Sequence, residues 1–340
     1  MKKVINYIIL ITLIGVTTWV LINNNDLAKL PELIKDTNKN YLALAFLGMV
    51  LFWICDAYII NKMKKVLNIE DNFFQSLKST MIGQYYSSIT PFASGGEPAQ
   101  IYSLVYKGVS GGTAISLFIN KFLIYQLIVT FYCIFMFIFK FEFLYKETKL
   151  ALSFVITGCV LNFLGLLIII GLFLNEQLIK GIFNKLFKIG YKIKLVKDIE
   201  KAEENLDNSL KDYMESINII KNNKKATLKL ALATVLQLTF YFSITYFVYL
   251  SVGLRKVSYF NIVALQSLHY MAVSFMPTPG TVGASEGGFY MLFNTIFPKY
   301  TLAYAIILWR IIDYYFRLIL SGVVTLIDYI YRKIKKASIQ

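Results

Sequence analysis

Pro277-Thr278-Pro279-Gly280-Thr281-Val282-Gly283-Ala284-Ser285-Glu286-Gly287-Gly288 separates two apolar runs. The two prolines fix φ and remove backbone donors, and the glycines admit positive φ, so no regular helix is expected to pass straight through. Glu286 adds a carboxylate to the same stretch. Irregular backbone carrying a charge survives at membrane depth only when it is buried in protein or lines a watery cavity.

The surrounding chain is a membrane sequence. Of 340 residues, 57% are hydrophobic and only 16% charged, with mean hydropathy +0.58, far more apolar than a soluble domain. The net charge of +15 comes from lysines clustered between apolar runs. Membrane orientation and attraction to anionic lipid explain that pattern, and no nucleic-acid partner is expected. Cys55, Cys133 and Cys159 lie within apolar runs without C-x-x-C spacing and read as small buried hydrophobes. No metal site, cofactor or catalytic residue is assigned, since phosphate-loop, zinc-protease and serine-hydrolase motifs are all missing.

Working outward, the expected fold is an all-α polytopic membrane protein of about six full spans plus two re-entrant helical hairpins. Lys2 and Lys3 precede an apolar run from Val4 to Ile22, read as an uncleaved first span with its N-terminus inside. A second span runs from about Tyr41 to Asn61, and Lys62, Lys64 and Lys65 mark its inner end. The segment 73–106 carries Pro91, Gly95, Gly96, Glu97 and Pro98 at its middle and is too short for two crossings. Further spans are expected at about Ala114 to Phe139, Leu150 to Leu174, Leu230 to Leu250 and Thr301 to Ile327. The second hairpin covers 259–297, and basic residues after the last span keep the C-terminus inside. The basic loop 180–229 is expected on the cytoplasmic side, and its apolar residues Leu195, Ile199, Ala202, Leu206, Leu210, Met214 and Ile217 recur at helical steps. That pattern reads as an amphipathic helix lying on the membrane surface or packed on the bundle.

The two interrupted segments pair up. Lys121 follows Glu97 by 24 residues, and Arg310 follows Glu286 by the same 24. The lysine distribution sends the first hairpin in from the inside and the second from the outside. Residues 1–149 and 150–340 therefore read as two halves related by an inverted repeat, the architecture in which broken helices meet near the bilayer midplane.

Charges at membrane depth are the candidate site. Asp56, Glu97, Lys121, Glu286, Arg310 and Arg317 are the candidate substrate-binding residues, since each centrally placed charge costs about 2.5–3.5 kcal/mol unless it faces a partner or water. Lys121 and Arg310 are expected to meet a phosphate or the hairpin glutamates. Asp313 sits between Arg310 and Arg317, which are seven apart on one helix face, and it suits either a strut between them or coupling. His269 is a second coupling candidate. Pro91, Gly95, Gly96, Pro98, Pro277, Pro279, Gly280, Gly283, Gly287 and Gly288 are expected to shape the two breaks.

At Thr90–Leu104 (TPFASGGEPAQIYSL) and Pro277–Phe289 (PTPGTVGASEGGF), backed by Arg310, the sequence resembles the membrane domain of the lysylphosphatidylglycerol synthase, or multiple peptide resistance factor, family and its standalone flippase-like relatives. That resemblance covers nearly the whole chain. It implies a flippase-type transporter of the bacterial cytoplasmic membrane, with aminoacylated phosphatidylglycerol or a polyprenyl-phosphate-linked lipid as cargo. It also implies that aminoacyl transfer, the work of a soluble domain in the full-length enzymes, is not expected from this chain, which ends at Gln340. The alternatives are a phosphatidylglycerol lysyltransferase-type enzyme and a scaffold subunit for a separately encoded synthase. The expected partners are the lipid cargo, anionic lipid at the basic face, such a synthase, and other copies of the chain.

Overall fold

A computed structural model describes residues 30–147, scattered positions between 156 and 185, residues 198–274 and residues 276–337. The expected first span from Val4 to Ile22 and Cys159 lie outside the described residues. The expected span from Leu150 to Leu174 and the loop 180–229 are covered only in part. Among the described residues the chain is all-helical, with no strand.

Among the described residues three helices are long and apolar enough to cross a membrane: α2 (Lys39–Val66), α5 (Gly111–Phe139) and α8 (Lys224–Ser251). At 1.5 Å per residue each is about 40 Å long, enough for a hydrocarbon layer of about 30 Å. Each starts where a polar side chain satisfies otherwise unpaired backbone donors: Asn38 accepts from the Asn40 and Tyr41 amides, Ser110 from Thr113, and Asn223 from Ala226. A short α1 (Leu30–Asp36) precedes α2, and α6 (Phe141–Glu147) follows α5. Neither is anticipated by the sequence pattern.

Both interrupted segments are helix–break–helix units. α3 (Phe73–Ile89) and α4 (Gly96–Val105) flank a short 3-10 turn at Pro91–Ala93. α9 (Tyr259–Val273) and α10 (Ala284–Phe293) flank another at Pro279–Thr281. The last apolar segment differs from the single regular span expected. α11 (Lys299–Arg310) passes into a π-helical turn, Ile311–Phe316, before α12 (Arg317–Ala337).

α2 and α8 make the most extensive helix pair; α5 lies on α9, and α12 on α3. The larger core cluster joins residues such as Met49, Phe52, Val129, Phe242, Leu265, Phe289 and Trp309. A smaller one, including Ile60, Leu104, Phe118, Ile220 and Leu230, closes the end of the molecule near α7 (Ile199–Asn222). α7 starts on Asp198, whose side chain caps the Lys201 amide. It packs on α5, burying Leu210, Tyr213 and Ile220, so of the two placements open to this helix the structure has the one on the bundle. At that end Asp71 accepts from Lys64 at 2.7 Å and Lys107 at 3.0 Å, tying the α2 terminus to the loops around the first hairpin. Lys78 and Arg332 both pair with Asp328 at 2.6 Å, fastening α3 to α12.

Candidate functional site

The two breaks touch each other and share a backbone form. Thr90 and Thr278 are extended, Pro91 and Pro279 open the turns, and two consecutive left-handed residues follow. These are Phe92 and Ala93 (φ 55° and 53°) in the first break, and Gly280 and Thr281 (φ 60° and 53°) in the second. Left-handed backbone costs a side-chain-bearing residue roughly 1–2 kcal/mol, and such strain collects at functional sites. A β-carbon at Gly280 would collide with the Tyr314 ring. Gly95 and Gly96 lead into α4 with Pro98 in its first turn, Pro277 precedes the second turn, and Gly283 caps α10 at φ 86°. Gly288 lies against the His269 ring, whereas Gly287 faces open space.

The second break carries a buried charge cluster. Arg310, only 3% exposed, donates from Nε to Glu286 Oε1 at 2.5 Å and from Nη1 to the Gly280 carbonyl at 3.2 Å. The other carboxylate oxygen of Glu286 accepts from the Gly283 amide at 2.7 Å, so this glutamate also ties down the start of α10. Arg310 Nη1 is 3.6 Å from Asp313 Oδ2, and Tyr241 donates to Asp313 Oδ1 at 2.7 Å. Charge-assisted bonds of this kind let buried charges persist in an apolar bundle.

The cation that follows the first break has another partner. Lys121 lies 2.8 Å from Asp56 Oδ1, and Thr80 and Gln237 also donate to that buried carboxylate, at 2.7 and 3.3 Å. Glu97 makes no hydrogen bond or ion pair with any described residue. Of the two matched 24-residue intervals, only the one from Glu286 to Arg310 therefore joins in space among the described residues.

Arg310 and Arg317 do not act as one face. A π-turn accommodates an extra residue and rotates the later part of the helix by roughly 100°. Asp313 accordingly reaches Arg310, while Arg317 Nε has no hydrogen-bond partner among the described residues. Arg317 instead lines a cavity of about 140 Å³ between the breaks, with Phe92 and Ala93 from the first and Gly280 and Thr281 from the second. Its polar wall also includes His269, Gln266, Tyr241, Tyr270 and Asp313, with Ser87, Ser274 and Ser285 beside them. His269 Nε2 is 2.9 Å from the Ser285 carbonyl. Sequence reasoning missed Gln266, Tyr241, Gln237 and Thr80; their only signal was a polar group within an apolar helix.

Two tyrosines reach from the helix after one break to a helix flanking the other. Tyr125, four residues after Lys121, meets the Tyr270 hydroxyl at 3.0 Å on α9. Tyr314, four residues after Arg310, donates to the Ser88 carbonyl at 3.5 Å on α3.

The chain as a whole is similar to known membrane proteins. The family described as "Lysylphosphatidylglycerol synthase TM region" matches residues 7–321. A UPF0104 membrane protein of Archaeoglobus fulgidus is 27% identical over 299 residues, covering 84% of this chain and 85% of that protein.

Proposed function

The chain belongs to the lysylphosphatidylglycerol synthase TM-region family of membrane proteins, and on that premise we propose that it is a lipid transporter that carries a phosphate-headgroup lipid between leaflets. The observation that carries this reading is the cavity walled by both helix breaks and furnished with Arg317, Asp313 and His269. Polar, irregular backbone meeting at one cavity inside an apolar bundle is what moving a charged headgroup past hydrocarbon requires.

The architecture we propose is six spans and two re-entrant hairpins in inverted halves, 1–149 and 150–340. Reciprocal contacts support it: α5 rests on α9 while α12 rests on α3, and Tyr125 reaches the second hairpin as Tyr314 reaches the first. Each half thus contributes its last span to the other half's hairpin. Rocking one half against the other would expose the cavity to each leaflet in turn. Asp56, Glu97, Lys121, Glu286 and Arg310 then form the charged surroundings of the path, with Arg317 at its centre. The setting we propose is a bacterial cytoplasmic membrane with both termini inside. Aminoacyl-phosphatidylglycerol and polyprenyl-phosphate lipids are the cargo classes, anionic lipid meets the basic face, and a separate synthase supplies the cargo.

Reconstitution tests the reading. Purified protein in liposomes should accelerate leaflet exchange of fluorescent phosphatidylglycerol, followed by dithionite quenching, well above protein-free vesicles. Exchange no faster than in empty vesicles for every phosphate lipid tried would overturn it.

A further inference from the structure

The cavity between the breaks contains a buried acceptor and a cationic donor that no described residue uses. A main-chain atom sets up the first of them. The Ser285 carbonyl can only accept, so its 2.9 Å contact fixes the hydrogen of His269 on Nε2. Nδ1 of the neutral ring is then an acceptor, and the Gln266 amide nitrogen, 3.4 Å away, donates to it. That sets which way the Gln266 amide faces. Its Oε1 has no hydrogen-bond partner among the described residues, on a side chain 1% exposed that lines the cavity. Arg317, lining the same cavity, has Nε equally unused. A buried polar group without a partner calls for an explanation such as an ordered water, an ion or a ligand, and of the buried atoms left unpaired among the described residues these two are the ones that line this cavity. Tyr241, Tyr270 and Trp309 give the remaining wall flat ring surfaces.

We propose that this cavity selects a phosphate headgroup bearing a hydroxyl or amine hydrogen-bond donor. Arg317 takes the phosphate and Gln266 Oε1 takes the donor. A phosphocholine headgroup is disfavoured, because its quaternary ammonium has no N–H or O–H and leaves Gln266 unpaired. A site built to hydrogen-bond its ligand rejects an analogue lacking the bond because its own buried group is stranded. This assignment rests on the lipid-transport reading and names the contacts by which the site would tell such cargo from a choline lipid.

The test is binding rather than translocation. The full chain in dodecylmaltoside, which brings no phosphate, is titrated by calorimetry with dihexanoylphosphatidylglycerol, dihexanoylphosphatidylcholine and sn-glycerol 3-phosphate. The phosphatidylglycerol analogue should bind at least about tenfold tighter than the choline analogue, the ratio expected from one stranded buried acceptor. Gln266→Met, similar in shape but without the acceptor, should weaken the glycerol headgroup alone and bring the two lipids together. Arg317→Met should weaken both. Equal binding of the two lipids by the unaltered protein overturns headgroup selection and leaves the transport reading standing, a comparison that does not depend on any variant folding. Glycerol phosphate bound as tightly as the lipid, with the same loss in Gln266→Met, supports the assigned contacts and identifies a free phosphate ester as the ligand, overturning transport. Binding of none of the three overturns both readings.

Discussion

Arg310 is held by Glu286 at 2.5 Å, whereas Lys121, at the same interval from Glu97, is held by Asp56 at 2.8 Å. Each break's glutamate is followed 24 residues on by a cation, and the two cations are neutralised by carboxylates from different elements. After the second break the carboxylate also fixes the break itself, through the Gly283 amide; after the first it comes from α2 and leaves Glu97 free of described partners.

Glu286→Gln should destabilise the protein by about 1–3 kcal/mol, because it removes the nearest charge partner of a buried guanidinium and leaves it only Asp313 at 3.6 Å and the Gly280 carbonyl. The double variant Glu286→Gln, Arg310→Met should recover part of that loss. Thermal unfolding in detergent checks this, and a double variant no better than the single would show that the pair is not the source of the cost.

Asp56 and Lys121 separate a structural pair from a transport element. Removing both charges together, as Asp56→Asn with Lys121→Gln, avoids an uncompensated ion and should leave folded, inserted protein. If the pair belongs to the lipid path, leaflet exchange falls at least about tenfold, the loss of one contact's worth of binding. Exchange at the unaltered rate assigns the pair to the scaffold.

Gly280→Ala should yield little monodisperse protein, since it adds a methyl group against Tyr314 at a residue with φ 60°. Gly287→Ala, seven positions on and facing open space, should behave like the parent. Size-exclusion profiles of fluorescently tagged variants report both.

Asp71 gives a pH dependence. Burial works to raise its carboxyl, but the Lys64 and Lys107 ammonium groups bonded to it hold it below the usual range. With the folded value depressed, the unfolded chain binds the proton more readily, so the contribution is complete above the unfolded value of about 3.9 and is lost as pH falls below it. The melting temperature should therefore drop more steeply below about pH 4 in the parent than in Asp71→Asn.

The breaks and most helix limits were readable from sequence because proline, glycine and apolar run length act locally. The interrupted segments 73–106 and 259–297 contain α3 with α4 and α9 with α10, each pair set around a proline-led turn. Charge pairing was not readable. Nothing in sequence spacing says that Lys121 will choose Asp56, 65 residues before it, over Glu97. The π-turn hid the environment of Arg317 for a related reason. Helical phase counted from Arg310 assumes 3.6 residues per turn, and one extra residue breaks the count. Gln266 carried no charge to draw the eye, and its importance depends on a carbonyl 19 positions away, that of Ser285.

That carbonyl has a consequence for substitution at position 285. The acceptor presented by Gln266 is oriented, through His269, by a main-chain atom of residue 285. Any amino acid able to open α10 there would supply the same oxygen. A change of side chain at position 285 would cost the hydroxyl that bonds Thr281 beside the cavity but would keep the oriented acceptor, so the His269–Gln266 couple is the part of the cavity's chemistry that such a change leaves in place.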